Sequence, residues 1–192
     1  MMREIIDIFK TPIYFKDLKL DTKSMRDYCL SLKGKNTSVI KSNVGGWQSD
    51  NLDGTHLPLN DLFLEIEKHC SKFTNKIGLK DILSLDNAWI NINYYKDFNS
   101  EHIHCYSKIS GVFYIQTPKD CGNIEFVSND SNVKSYDWNE NTVKDINNYT
   151  SGRWYMPSLE NRLILFPSWL KHNVQPNLNP KEERISISFN LI

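Results

Sequence analysis

The stretch Trp89-Ile90-Asn91-Ile92-Asn93-Tyr94-Tyr95 alternates with a period of two. Trp89, Asn91, Asn93 and Tyr95 share one face of an extended chain, and Ile90 and Ile92 take the other. The pattern changes character near Asp86. Downstream, residues 109–116, 122–127, 162–167 and 184–192 are short strand-like runs separated by Asn, Gly, Pro and Asp. Upstream the pattern is helical. Leu59, Leu62, Phe63, Ile66, Cys70, Phe73 and Ile77 recur every three or four residues before Gly78, which predicts a helix over 59–77. Met25, Tyr28, Cys29 and Leu32 predict another over 22–32, stopped by Gly34. Residues 5–15 predict a strand broken at Pro12, and Gly45-Gly46-Trp47 a turn or loop. Closely spaced strands after two helices point to a β-sandwich or jelly roll with a helical flank, a mainly β fold of the α+β class. Segment 128–157 is long and polar, which fits a lid-like insertion or a mobile loop.

A chain of 192 residues suits one domain, 1–192, with a strand and helical flank over 1–85 and the β core over 86–192. Twenty-three basic and twenty-three acidic side chains cancel, which disfavours a nucleic-acid binder that works by neutralising phosphates. The four cysteines, Cys29, Cys70, Cys105 and Cys121, have no CxxC spacing, so a thiolate zinc site or redox dithiol is not expected. Reduced thiols, a charged N-terminus too short for a signal peptide and the lack of a membrane-length apolar run lead us to expect a cytoplasmic protein with no membrane partner.

Three of the five histidines fall in the β half, in two clusters. In Ser100-Glu101-His102-Ile103-His104, residues i and i+2 of an extended segment share a face, so His102 and His104 can converge on one point. Two such imidazoles are half a site for a divalent transition metal. The second cluster, Phe166-Pro167-Ser168-Trp169-Leu170-Lys171-His172, brings His172 at the end of an apolar strand, from where it can close the site across a jelly roll. Short His patterns also arise by chance, and the neighbouring sequence has to add weight. Twelve residues past His172 stands Arg184-Ile185-Ser186, whose guanidinium and hydroxyl would share a face and suit a carboxylate. An Arg exposed on an edge strand is the bland alternative. His56 and His69 receive no role, and His69 is expected on a solvated helix face. Asn91 and Asn93 are placed to line a pocket, although Trp89 and Tyr95 on the same face make core packing a competing use.

In combination these features resemble the 2-oxoglutarate/Fe(II) oxygenase superfamily, in which a His-x-Asp/Glu pair and a distal His bind iron and an Arg beyond the distal His binds 2-oxoglutarate. His102-Ile103-His104, His172 and Arg184-Ile185-Ser186 stand in that order. Ser42-Asn43-Val44-Gly45-Gly46-Trp47-Gln48-Ser49, Ser110-Gly111-Val112-Phe113-Tyr114 and Arg162 to His172 are similar to a group of small oxygenases common in marine phages and bacteria. The resemblance runs from Phe9-Lys10-Thr11-Pro12 to the C-terminus. It implies a double-stranded β-helix of the cupin-like kind, with Fe(II), or Zn or Ni as substitutes, on His102, His104 and His172. It also implies 2-oxoglutarate on Arg184, Ser186 and Tyr114. Tyr114 is equally serviceable as a core aromatic. The activity implied is a dioxygenase hydroxylating an unidentified substrate, with a peptidyl side chain such as proline among the classes, in the host cytoplasm if phage-encoded. Related small oxygenases often dimerise, which leaves a homodimer open.

The pattern departs from the superfamily in one place: His104 stands where Asp or Glu is usual. Three neutral imidazoles remove one negative charge from the site and alter its preference between Fe(II) and Zn(II). Glu101, Asp97 and Asp120 are the nearest carboxylates that a bulge could re-aim. Two other functions fit the same residues: a cupin-like metal protein without 2-oxoglutarate, and a non-catalytic phage structural or binding module.

Overall fold

The computed structural model describes residues 5–52, 57–80 and 84–192. Eleven strands and three α-helices are assigned among them. The N-terminal part holds β1 (Tyr14–Asp17), α1 (Thr22–Lys33), β2 (Asn43–Val44), β3 (Trp47–Gln48) and α2 (Asn60–Ile77). The remainder holds β4 (Leu85–Asn93), β5 (Phe98–His102), β6 (Ile109–Gln116), β7 (Ile124–Val127), α3 (Ser131–Asp137), β8 (Arg153–Met156), β9 (Arg162–Pro167), β10 (Lys171–Val174) and β11 (Arg184–Leu191).

The strands form two antiparallel sheets, a larger one ordered β1-β9-β6-β11-β4-β3 and a smaller one ordered β2-β5-β10-β7-β8. Alternation along the strands assigns each side chain to one of two cores. Ile90 and Ile92 of β4, Phe113 and Ile115 of β6, and Ile185, Ile187 and Phe189 of β11 pack with Met25 and Cys29 of α1 and Leu62, Ile66, Cys70 and Phe73 of α2. The intervening residues Val112, Tyr114, Ile164 and Phe166 pack instead with Ile124, Phe126 and Leu170, which belong to β7 and the approach to β10. One core therefore lies under the helices and the other between the sheets. A one-residue slip of any central strand would exchange the two sets, which is why the period-two pattern specifies register so strongly.

The helices form for local reasons. The Asp21 carboxylate accepts from the Ser24 backbone N–H at 3.1 Å and caps α1. Gly78 ends α2 in the left-handed conformation, φ +80°. Gly34 follows α1 as expected but stays right-handed, so the stop there does not use glycine's freedom. Gly45 and Gly46, φ +71° and +66°, do use it. They turn the chain between β2 and β3, which belong to different sheets.

Two expectations are corrected and one is filled in. The strand expected over 5–15 exists only as β1, paired with β9; Pro12 lacks an N–H for a ladder, and Phe9 at φ +53° leaves the extended region. Segment 128–157, expected as a lid-like insertion or a mobile loop, contains α3, and its end becomes β8, the edge of the smaller sheet. His69 is not solvated. It is buried on α2, where it takes a hydrogen bond from the Tyr14 hydroxyl at Nδ1 (2.6 Å) and meets Glu65 at Nε2 (3.1 Å). His56 lies outside the described residues.

Candidate metal centre

His102 ends β5 and His172 sits in β10, directly opposite each other in the antiparallel ladder. The side-chain alternation of the two strands sends both rings between the sheets, with centroids 4.3 Å apart. His104 is positioned differently. The strand has ended two residues earlier, and His104 is held by its backbone N–H, which donates to the Ser168 carbonyl at 3.0 Å. Its ring lies 5.1 Å from that of His172, nearly parallel, with the Trp89 ring 5.7 Å away on another side. One ligating nitrogen from each histidine falls within 4.8 Å of the other two, the spacing at which a single cation can touch all three.

The tautomers follow from the backbone. His172 Nδ1 lies 2.9 Å from the Leu170 carbonyl and His102 Nδ1 lies 2.7 Å from that of Ser100. A carbonyl only accepts, so each Nδ1 carries the proton and each Nε2 keeps a free lone pair. Between His104 and His172 the Nε2 atoms are 3.3 Å apart. Burial, and the neighbouring imidazoles behind it, push the His172 pKa down to about 3. The same two causes bring His104 down to about 4. Burial also lowers His102. At neutral pH all three are therefore uncharged Lewis bases, the form in which imidazole binds metals.

No carboxylate joins this cluster among the described residues. Glu101 turns to Lys171 and Arg153, at 3.6 and 3.9 Å. Asp97 accepts the Tyr94 backbone N–H, and Asp120 lines a separate cavity. The donor set is three nitrogens, which suits Fe(II), Zn(II) or Ni(II).

The cavity that the three histidines line extends to Tyr114 on β6, Asn91 and Asn93 on β4, and Arg184 and Ser186 on β11. Arg184 is 1% exposed. Its Nη1 donates to the carbonyls of Cys121 and Gln175, whereas its Nη2 has no partner. The buried hydroxyl of Tyr114 and Oδ1 of Asn91 are also without hydrogen bonds. Burial raises the Tyr114 pKa despite nearby Ser158 and Arg184, so the phenol stays protonated and able to donate. A buried cation with a spare donor beside an unpartnered phenol is costly unless something accepts from both. A carboxylate from 2-oxoglutarate fits that requirement, and the three lone pairs fit its metal.

Every site residue expected from the sequence thus lines one cavity. Trp89 was expected on the same face as Asn91 but not against the His104 ring, and the contribution of Ser168 was missed. A serine after Pro167 in an apolar run is the signal that was available.

Two sheets facing each other around an imidazole cluster define the double-stranded β-helix of metal-dependent oxygenases. The sequence profile described as "Putative 2OG-Fe(II) oxygenase" matches residues 87–190, more than half of the chain, and the protein belongs to that family. It is accordingly an enzyme of the Fe(II)- and 2-oxoglutarate-using class. No curated protein matches the chain. Among solved structures it is similar to a Pseudomonas putida prolyl-4-hydroxylase, with 14% identity, TM-score 0.63, and 94% of this chain and 92% of that one covered. A viral collagen prolyl hydroxylase from Paramecium Bursaria Chlorella virus-1, in complex with 2OG, gives 12%, 0.59, 93% and 94%. The epimerase SnoN of nogalamycin biosynthesis gives 11%, 0.70, 95% and 76%.

Proposed function

We propose that the 192 residues act as one catalytic domain in which His102, His104 and His172 hold Fe(II) and Arg184, Ser186 and Tyr114 hold the far carboxylate of 2-oxoglutarate. The observation that carries this reading is the placement of three neutral ring nitrogens in the same cavity as the unpartnered Arg184 Nη2 and Tyr114 hydroxyl. Bound there, iron and 2-oxoglutarate would let dioxygen place one oxygen atom in a substrate C–H bond and the other in succinate, with carbon dioxide released. The protein's own tasks are simpler. Backbone carbonyls keep the lone pairs of His102 and His172 aimed inward. Arg184 supplies fixed positive charge where water is excluded, and Tyr114 donates a directed hydrogen bond. Phe166, packed edge to face against Phe126 at 5.0 Å, gives the cavity an apolar wall.

The substrate to try first is a peptidyl side chain such as proline, because two of the similar folds are prolyl hydroxylases. No helix among the described residues is long and apolar enough to cross a membrane. With four free cysteines, we place the reaction in the cytoplasm.

The test is thermal unfolding of anaerobic Fe(II)-loaded protein with and without 2-oxoglutarate. At a hundred times its Kd the cosubstrate should add about 2.7 kcal/mol, a rise of roughly 5–10 °C in Tm. Arg184→Gln should abolish the rise while one equivalent of metal remains bound. A wild-type protein that binds metal but shows no shift would be a cupin-like protein without this cosubstrate. One that binds no metal would be a non-catalytic module.

A further inference from the structure

His104 lies beyond the end of β5, so no strand ladder sets its place. Its attachment is to Ser168, which clamps both sides of the intervening loop. The Ser168 carbonyl accepts the His104 N–H at 3.0 Å, and the Ser168 N–H donates to the Lys108 carbonyl at 3.1 Å. Ser168 is in turn tied into the sheet. Its hydroxyl is 2.7 Å from that of Ser110 on β6, which donates to Asn190 Oδ1 on β11 at 2.7 Å. Asn190 Nδ2 donates to Asn87 Oδ1 on β4 at 2.8 Å.

The direction of this chain is fixed by elimination. Asn190 spends its amide protons on Asn87 and presents only its oxygen. Ser110 gives its single proton to that oxygen. Ser168 must then be the donor to Ser110. Ser168, Ser110 and Asn190 are 0%, 1% and 7% exposed, and none keeps an unsatisfied buried atom. A fully satisfied buried polar chain specifies one arrangement of the groups at its end.

We propose that Ser168, Ser110 and Asn190 are positioning residues for the metal centre, transmitting the location of the central strands β4, β6 and β11 to the His104 ring. This rests on the reading that His104 is a ligand. The chain does for His104 what the β5–β10 ladder does for His102 and His172. It makes the third nitrogen part of the rigid sheet although its residue lies on a loop.

The experiment compares full-length wild type with Ser110→Ala, Ser168→Ala and the control Ile66→Val. The control weakens the helix-side core, away from the site. Co(II) is the probe, with affinity read by chelator competition and ligand geometry by its visible absorption bands. Ser110→Ala should weaken Co(II) roughly tenfold and shift the bands. Ser168→Ala strands no buried donor, so it folds more safely and should change both readouts in the same direction. Ile66→Val should keep the wild-type affinity and spectrum. Wild-type affinity and bands in both serine variants overturn the role while leaving the metal centre intact. So does an equal change in Ile66→Val, because the effect is then only lost stability. A wild-type protein that takes up no Co(II) overturns the metal centre itself.

Discussion

Tyr114 offers the sharpest single-residue test of the site. Its hydroxyl is buried and unpartnered in the free protein, so that state carries its desolvation cost without a compensating bond. Tyr114→Phe should leave the ligand-free stability unchanged or raise it by about 1 kcal/mol, while the stabilisation by 2-oxoglutarate shrinks. Urea melts with and without the cosubstrate would show it, and a destabilised free protein would mean the hydroxyl has another partner. The imidazoles predict a pH effect of definite sign. His172 and His104 have folded pKa values of about 3 and 4, against 6.5 for an ordinary histidine. Below pH 6.5 the unfolded chain takes up protons that the folded one refuses, so metal-free stability falls as the pH drops towards 4. The loss between pH 7 and pH 5 should be on the order of 2–3 kcal/mol, and His172→Gln should reduce it. A flat pH dependence of the EDTA-treated protein would contradict this. At this scale the sequence was informative about which side chains come together, since all six expected residues line one cavity. It was silent on what Arg184 leaves unpaired, because that depends on which backbone carbonyls, those of Cys121 and Gln175, the fold brings to its guanidinium.

At the level of elements, β6 shows how tightly the larger sheet is built. A Cβ added at Gly111 would lie 2.6 Å from the Ile164 carbonyl oxygen and 2.4 Å from the Phe189 ring. The carbonyl belongs to a neighbouring strand and cannot swing aside, so Gly111→Ala should cost about 1–3 kcal/mol by denaturant titration. Full stability in that variant would show that β6 and β9 can separate. The elements that were legible before folding are those with a strong internal period. Helix α2, β6 and β9 stand where the pattern put them, because each buries a face whose spacing the side chains declare. Elements defined by a partner were not legible. Residues 5–13 have strand-forming side chains but no ladder, and β8, at the end of a long polar segment, passes for loop yet pairs with β7 along Ile124–Val127. Pairing is a property of two segments, and local pattern reports only one.

For the molecule as a whole, the division into two cores predicts that stability and site can be perturbed separately. Leu62→Ala, in the core under the helices, should cost about 2–5 kcal/mol while metal affinity stays at the wild-type value. Coupled loss of both would mean that the helical layer also sets the cavity. The fold as a class could be recognised because alternating strands after two amphipathic helices allow few layered arrangements. The assignment of strands to sheets could not, since the crossing at Gly45–Gly46 depends on approaches as close as 2.8 Å between a would-be Cβ and the Ile92 carbonyl.

His102 and His172 each give the Nδ1 proton to the carbonyl two positions earlier in their own chain. One hydrogen bond that fixes the swivel of each ring is thereby contained within three consecutive residues and uses no surrounding side chain. Such a tripeptide is portable: drift can rebuild the walls around it, and so change which molecules are admitted, without disturbing where two of the three nitrogens point. That freedom is consistent with a shared architecture surviving at 11–14% identity.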